Sequence, residues 1–110
     1  MMAPSKLSES LRERLAIAAA GEMLEIVLEL QPIPLPREGS RAERIAWLRA
    51  AFEREAEPVA AAIRAASGEV LGLAWVNQTI LARVPARRVA RLAELDQISV
   101  ADLPRTLTVG

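Results

Sequence analysis

Any side-chain chemistry in this chain must come from carboxylates, guanidiniums, hydroxyls and the single amine of Lys6, because its 110 residues include no histidine and no cysteine. Glu53 and Glu57 lie four residues apart, a spacing that puts two carboxylates on one helix face and within range of shared acid and base work. Arg87, Arg88 and Arg91 crowd a short run that could meet a phosphate. Each grouping also has a plainer reading. A nucleophile or general base needs an activating partner within hydrogen-bond reach, and with imidazole and thiol absent what remains is carboxylate pairs such as the one above, for which solvated charge is the commoner role. Glu53/Glu57 therefore reads as solvated charge and the arginine run as the outer side of a helix. Glycine is sparse, with 5 in the chain, and forms no phosphate-cradling loop. The expectation is a protein that is no enzyme, with no cofactor and no metal site, acting by shape.

The bulk composition agrees with that expectation. A chain of 110 residues supports one domain, burying roughly 60–70% of the surface its unfolded form exposes. Apolar residues make up 52%, and Lys+Arg and Asp+Glu each number 14, so neither disorder nor a strongly basic nucleic-acid binder is the natural class. No stretch approaches the ~20 apolar residues of a membrane span. The charged residues from Lys6 to Arg14 interrupt anything resembling a signal peptide. A cytoplasmic protein with no membrane association and no nucleic-acid partner is expected.

The elements that would position a binding surface follow from periodicity. Leu7, Leu11 and Leu15 at helical spacing, with Ser5 or Ser8 as cap and Gly21 as stop, predict an amphipathic helix within residues 1–22. Leu24, Ile26, Leu28 and Leu30 alternate with Glu25, Val27 and Glu29, the pattern of a strand lying on a core. Pro32, Pro34 and Pro36 end it in a stiff connector. Ser40 and Glu43 have capping-box spacing, so a helix starts at 41 and runs to about 67, packing Ile45, Leu48, Phe52, Ala56, Val59 and Ile63 inward. Pro58 predicts a kink or restart, and Gly68 the left-handed stop.

Residues 69–76 and 79–84 are two β-rich runs flanking Asn77-Gln78, the layout of a hairpin. A short helix over 86–96 and a last strand over 98–102 complete a core order of strand, helix, strand, strand, helix, strand. The fold class expected is α+β, a ferredoxin-like βαββαβ sandwich with two helices on one face of a four-stranded antiparallel sheet and an extra N-terminal helix. The main domain spans 23–104 and an extended tail 105–110. The uncovered sheet face is expected to carry Val27, Leu81 and Ala101, with either Gly72, Ala74 and Val76 or Leu71, Leu73 and Trp75 beside them. Such a face is hidden by the first helix, dimerises or docks a partner. Trp47 reads as a lid under the first helix and Trp75 as a core or hairpin residue.

The run Trp75-Val76-Asn77-Gln78-Thr79-Ile80-Leu81-Ala82-Arg83-Val84-Pro85-Ala86, followed by Val89, Leu92, Leu95 and Ile98-Ser99-Val100, resembles the second half of subtilisin propeptides and related stand-alone protease inhibitors. The strand at 24–30 and the Ala-rich helix with its internal proline are similar to the first half. The likeness covers roughly residues 24–110. It implies a domain whose open sheet face, here Val27, Leu81, Ala101 and Asp102, packs on two surface helices of a subtilisin-like serine protease. It also implies that Leu107, Thr108, Val109 and Gly110 lie in the active-site cleft like a cleaved product, Leu107 being the apolar anchor. The tail is uncharged from Thr106 to Val109 and strand-prone, as β-augmentation requires. Gly110 offers nothing to a primary specificity pocket, and the acidic cluster such propeptides carry after the last strand is reduced to Asp102.

The resemblance thus predicts an inhibitor and folding chaperone acting in trans on a protease encoded nearby, since the chain begins with Met and stops where such propeptides are cleaved. A second reading from another class is a non-inhibitory module forming a homodimer through its open sheet. RNA binding, which uses this topology elsewhere, would need stacking aromatics on the sheet. Only Trp47, Phe52 and Trp75 exist, and two of them fall in a helix.

Overall fold

Strict alternation builds the centre of the sheet. In a computed structural model of the chain, which describes residues 6–104, β1 (Met23–Leu30) buries Leu24, Ile26, Leu28 and Leu30 and turns Glu25 and Glu29 outward. It is a central strand, antiparallel to both neighbours, in a four-stranded sheet of order β2-β3-β1-β4. Its partners are β3 (Thr79–Pro85) and β4 (Ile98–Asp102), while β2 (Glu69–Ala74) pairs with β3 alone at the far edge. The architecture is α+β, with α1 (Glu9–Ile17), α2 (Arg41–Ala65) and α3 (Ala86–Ala93) completing it.

One core joins sheet and helices. Phe52, Ala56, Val59 and Ile63 of α2 and Val89, Leu92 and Ala93 of α3 pack with Ile26, Leu28, Ile80, Ala82, Val84 and Ile98. Leu11 of α1 enters the same cluster and is fully buried. α1 is capped by Ser8, whose hydroxyl accepts from the Leu11 backbone at 3.1 Å, and ends at Ala18, short of the predicted Gly21. Residues 6–8, which precede it, make one isolated parallel bridge to β4. The Ser8 amide donates to the Ala101 carbonyl and the Ala101 amide to the Lys6 carbonyl, both at 2.9 Å, in a parallel bridge that covers the outer edge of β4.

Several expectations shift. Ser40 caps α2 by accepting from the Glu43 amide, and its hydroxyl donates to the Glu43 carboxylate, which therefore pairs with the Ser40 side chain where a capping box would use the Ser40 amide. α2 continues through Pro58 to Ala65 instead of restarting there. Its first two turns overhang the core, leaving Ile45 exposed. Trp47 is no lid under α1: it shares a groove with Pro32, Ile33 and Pro34 of the connector. The hairpin loop is four residues, 75–78, because Ala74 pairs with Thr79. Gln78 takes φ 57°, and its side-chain oxygen accepts from the Ile33 amide at 3.1 Å, tying the loop to the connector. Trp75 packs partly on the core beneath Arg49, whose guanidinium carbon is 5.3 Å from the ring centroid.

The left-handed residue after α2 is Ser67, at φ 65°, not Gly68. Gly68 is required for a different reason. A Cβ there would lie 2.6 Å from Val84 Cγ1 and 2.7 Å from the Arg83 carbonyl oxygen, a backbone atom that cannot swing aside. Gly68→Ala is expected to cost about 1–3 kcal/mol by overpacking, read as a lower urea midpoint. An unchanged midpoint would show that α2 and the hairpin are not in tight contact at this point.

The largest correction concerns β4. Ile98 is buried, so simple alternation would send Ala101 to the open side. A register shift between Glu29 and Leu30 inserts an extra residue: Leu30 pairs with Ile98 but Glu29 with Val100. Ala101 then lies opposite Leu28, fully buried on the helix side, while Val100 and Asp102 turn outward. A second shift between Val70 and Gly72 puts Gly72 opposite Leu81 and Ala74 opposite Thr79, which decides between the two alternatives for β2 in favour of Gly72 and Ala74.

Candidate protein-docking face

The sheet side away from α2 and α3 is built from alternate residues of four strands. β1 contributes Glu25, Val27 and Glu29; β3 contributes Thr79, Leu81 and Arg83; Glu69, Gly72 and Ala74 come from β2 and Asp102 from β4. Val27 sits opposite Leu81 on one side and Asp102 on the other, so a small apolar centre is bordered by a carboxylate. At one end Arg83 spans three strands, its guanidinium 3.2 Å from Glu25 and 3.1 Å from Glu69. All three side chains are about half exposed, and pairs of this kind contribute on the order of 0–1 kcal/mol each. Their effect is to hold three side chains flat across the face.

At the other end a shallow basin of ≈ 400 Å³ is lined by Val27, Glu29, Asn77, Thr79, Asp102 and Leu103. Thr79 donates to the Asn77 side-chain oxygen at 2.9 Å. Asp102 accepts from the Ser8 hydroxyl at 2.6 Å and from the Leu103 amide at 2.7 Å through the same oxygen, Oδ1. Among the described residues no hydrogen bond is made to its second oxygen. Among the described residues no ion pair neutralises Glu29 or Asp102. Of the strand residues turned to this side, Glu25, Glu29, Glu69 and Asp102 are acidic and Arg83 alone is basic.

Of the residues expected on a docking face, Val27, Leu81 and Asp102 are brought together here and Ala101 is not. α1 does not cover them: Val27, Leu81, Thr79 and Asp102 all keep partial exposure while Leu11 points into the main core. Leu107, Thr108, Val109 and Gly110 lie outside the described residues. Leu103, just after β4, lines the basin. Glu29, Thr79 and the Glu25–Arg83–Glu69 ladder were not singled out from sequence. The alternation of β1 contained the signal, since Glu25, Val27 and Glu29 necessarily share a side.

Elsewhere, Glu53 and Glu57 are exposed on α2, and Arg87, Arg88 and Arg91 on α3 border a cleft with Ala62, Ala65 and Ala66 only through Arg88 and Arg91. Among the described residues no group of three or more potential ligands is placed to hold a metal ion, and no helix is long and apolar enough to cross a membrane. Comparison with family models, with curated proteins and with solved structures found no match. The class defined by these observations is an α+β domain in which, among the described residues, no helix covers one face of the sheet.

Proposed function

We propose that this chain is a ferredoxin-like, propeptide-like protein that binds a subtilisin-like serine protease in trans, inhibiting it and assisting its folding. On this reading it works by binding rather than catalysis. The observation that carries the proposal is the composition of the open face: an apolar centre of Val27 and Leu81, with the uncompensated carboxylates of Glu29 and Asp102 beside it. Helix N-termini carry partial positive charge and unpaired amide donors. A face of this kind complements a protein surface that presents two helix starts around an apolar patch, which is what the resemblance implies for the protease. The strand order β2-β3-β1-β4 supports the ferredoxin-like assignment. Leu103, two residues before the tail, lines the basin on this face.

The same charge speaks against the competing reading of a face-to-face homodimer. Stacking two copies would bring Glu29 and Asp102 of one against the acidic face of the other with no basic residue but Arg83, and Arg83 is already engaged.

The test is inhibition of subtilisin-type proteases by the full chain and by two variants. Deleting Leu107–Gly110 is expected to weaken inhibition about a hundredfold, about 2.8 kcal/mol, with the circular dichroism spectrum and melting unchanged. Val27→Arg, which puts an unpaired cation at the centre of the face, is expected to weaken it at least about tenfold while leaving the core intact. Full inhibition by both variants would overturn the proposal, as would a wild-type chain that inhibits no member of the class.

A further inference from the structure

Asp102 differs from the other charged residues of the open face in what holds it. Glu25 and Glu69 are tied to Arg83 within the sheet, and Glu29 makes no ion pair among the described residues. Asp102 is held from outside the sheet, by Ser8, 94 positions away in the chain. Its Oδ1 accepts from the Ser8 hydroxyl at 2.6 Å and from the Leu103 amide at 2.7 Å. The Ser8 oxygen in turn accepts from the Leu11 amide at 3.1 Å, as the N-cap of α1. A serine hydroxyl has one proton to give. With the oxygen engaged at the start of the helix, that proton is directed to Asp102. The Ser8 backbone is fixed as well, since its amide donates to the Ala101 carbonyl at 2.9 Å. Leu11, fully buried in the main core, anchors α1 itself. An unbroken set of contacts therefore runs from the core through α1 to a carboxylate on the docking face.

We propose that Ser8 is a positioning residue for that face: through its hydroxyl, α1 holds the Asp102 side chain in one rotamer, with Oδ2 left to accept from the amide donors of a partner's helix N-terminus. The inference rests on the protease-binding reading. It gives α1, which lies outside the part of the chain that resembles a propeptide, a role in affinity. A carboxylate already fixed loses less rotamer freedom when a partner docks than one that swings free, a difference of roughly three- to tenfold in affinity for one side chain. Glu29 is the unbraced comparison, since it lines the same basin and its carboxylate has no partner among the described residues.

The test compares inhibition of subtilisin by the full chain, Ser8→Ala, Ser8→Thr and Asp102→Ala, with the double variant Ser8→Ala/Asp102→Ala closing the cycle. Ser8→Ala is expected to weaken inhibition roughly three- to tenfold and to speed exchange of the Leu103 amide, whose acceptor is no longer fixed. Ser8→Thr keeps a hydroxyl and is expected to restore both. In the Asp102→Ala background, Ser8→Ala is expected to leave inhibition unchanged, although the cap of α1 is lost there too. A purely structural role for Ser8 predicts the same fold-loss in both backgrounds, and that result would overturn the inference while leaving the protease reading intact. So would a Leu103 amide indifferent to Ser8→Ala. A wild-type chain that inhibits no subtilisin-type protease would instead remove the protease reading, and this inference with it.

Discussion

Replacing Leu11 by alanine should lower the unfolding free energy by about 2–5 kcal/mol, the usual range for a fully buried leucine, even though the residue belongs to a helix outside the βαββαβ core. Leu11 has no exposed surface and packs into the cluster shared by the sheet and the other helices. The loss is large against a typical stability of 5–15 kcal/mol for a native domain. With a urea dependence of about 2 kcal/mol per molar, typical of small proteins, the midpoint should fall by roughly 1–2.5 M. Tryptophan fluorescence is the decisive probe, because Trp47 and Trp75 lie in α2 and in the hairpin loop, neither of them in α1. A shifted tryptophan transition makes α1 part of one cooperative unit. If only the α1 amides exchange faster and the tryptophan signal is unmoved, residues 1–22 form a separate appendage, as the domain boundaries read from sequence would have it.

Phe52→Ala should be the most damaging single substitution, costing about 3–5 kcal/mol. Phe52 is the only phenylalanine, it is 2% exposed, and it lies at the middle of α2, with Ala51 and Ala56 buried nearby. Alanine neighbours cannot collapse into the space that a lost ring leaves, so the cavity persists, and cost scales with the volume that stays empty. Phe52→Leu, which fills most of that volume, should lose distinctly less. Equal losses for the two variants, measured by urea unfolding, would show that the site repacks around leucine no better than around alanine and would contradict a rigid core here.

Most of the element order was legible because it rests on period. Leu24, Ile26, Leu28 and Leu30 alternate, Phe52, Ala56, Val59 and Ile63 recur at helical spacing, and Pro85 separates a strand from a helix. The failures in β2 and β4 share one physical origin. A bulge changes the side to which every later residue points while leaving composition untouched, so neither Ala101 nor the β2 side chains could be assigned from spacing alone. The left-handed turn after α2 was misplaced by one residue because Ser67 adopts it so that Gly68 can sit where no Cβ fits. At the candidate site, Val27, Leu81 and Asp102 were legible, and Glu29 was there to be read in the same alternation. The cover of the β4 edge by residues 6–8 was not, since Leu7 looks like the first position of a helix stripe and its bridge to β4 depends on contact with a residue more than ninety positions away.

That parallel bridge also decides how the domain answers to a mechanical load. The stretch from Lys6 to Ser8 and strand β4 lie side by side, running in the same direction. Tension applied at the two ends of the described chain therefore acts along the strands in opposite senses. The Ser8–Ala101 and Ala101–Lys6 bonds must slide and fail together rather than peel open one after the other.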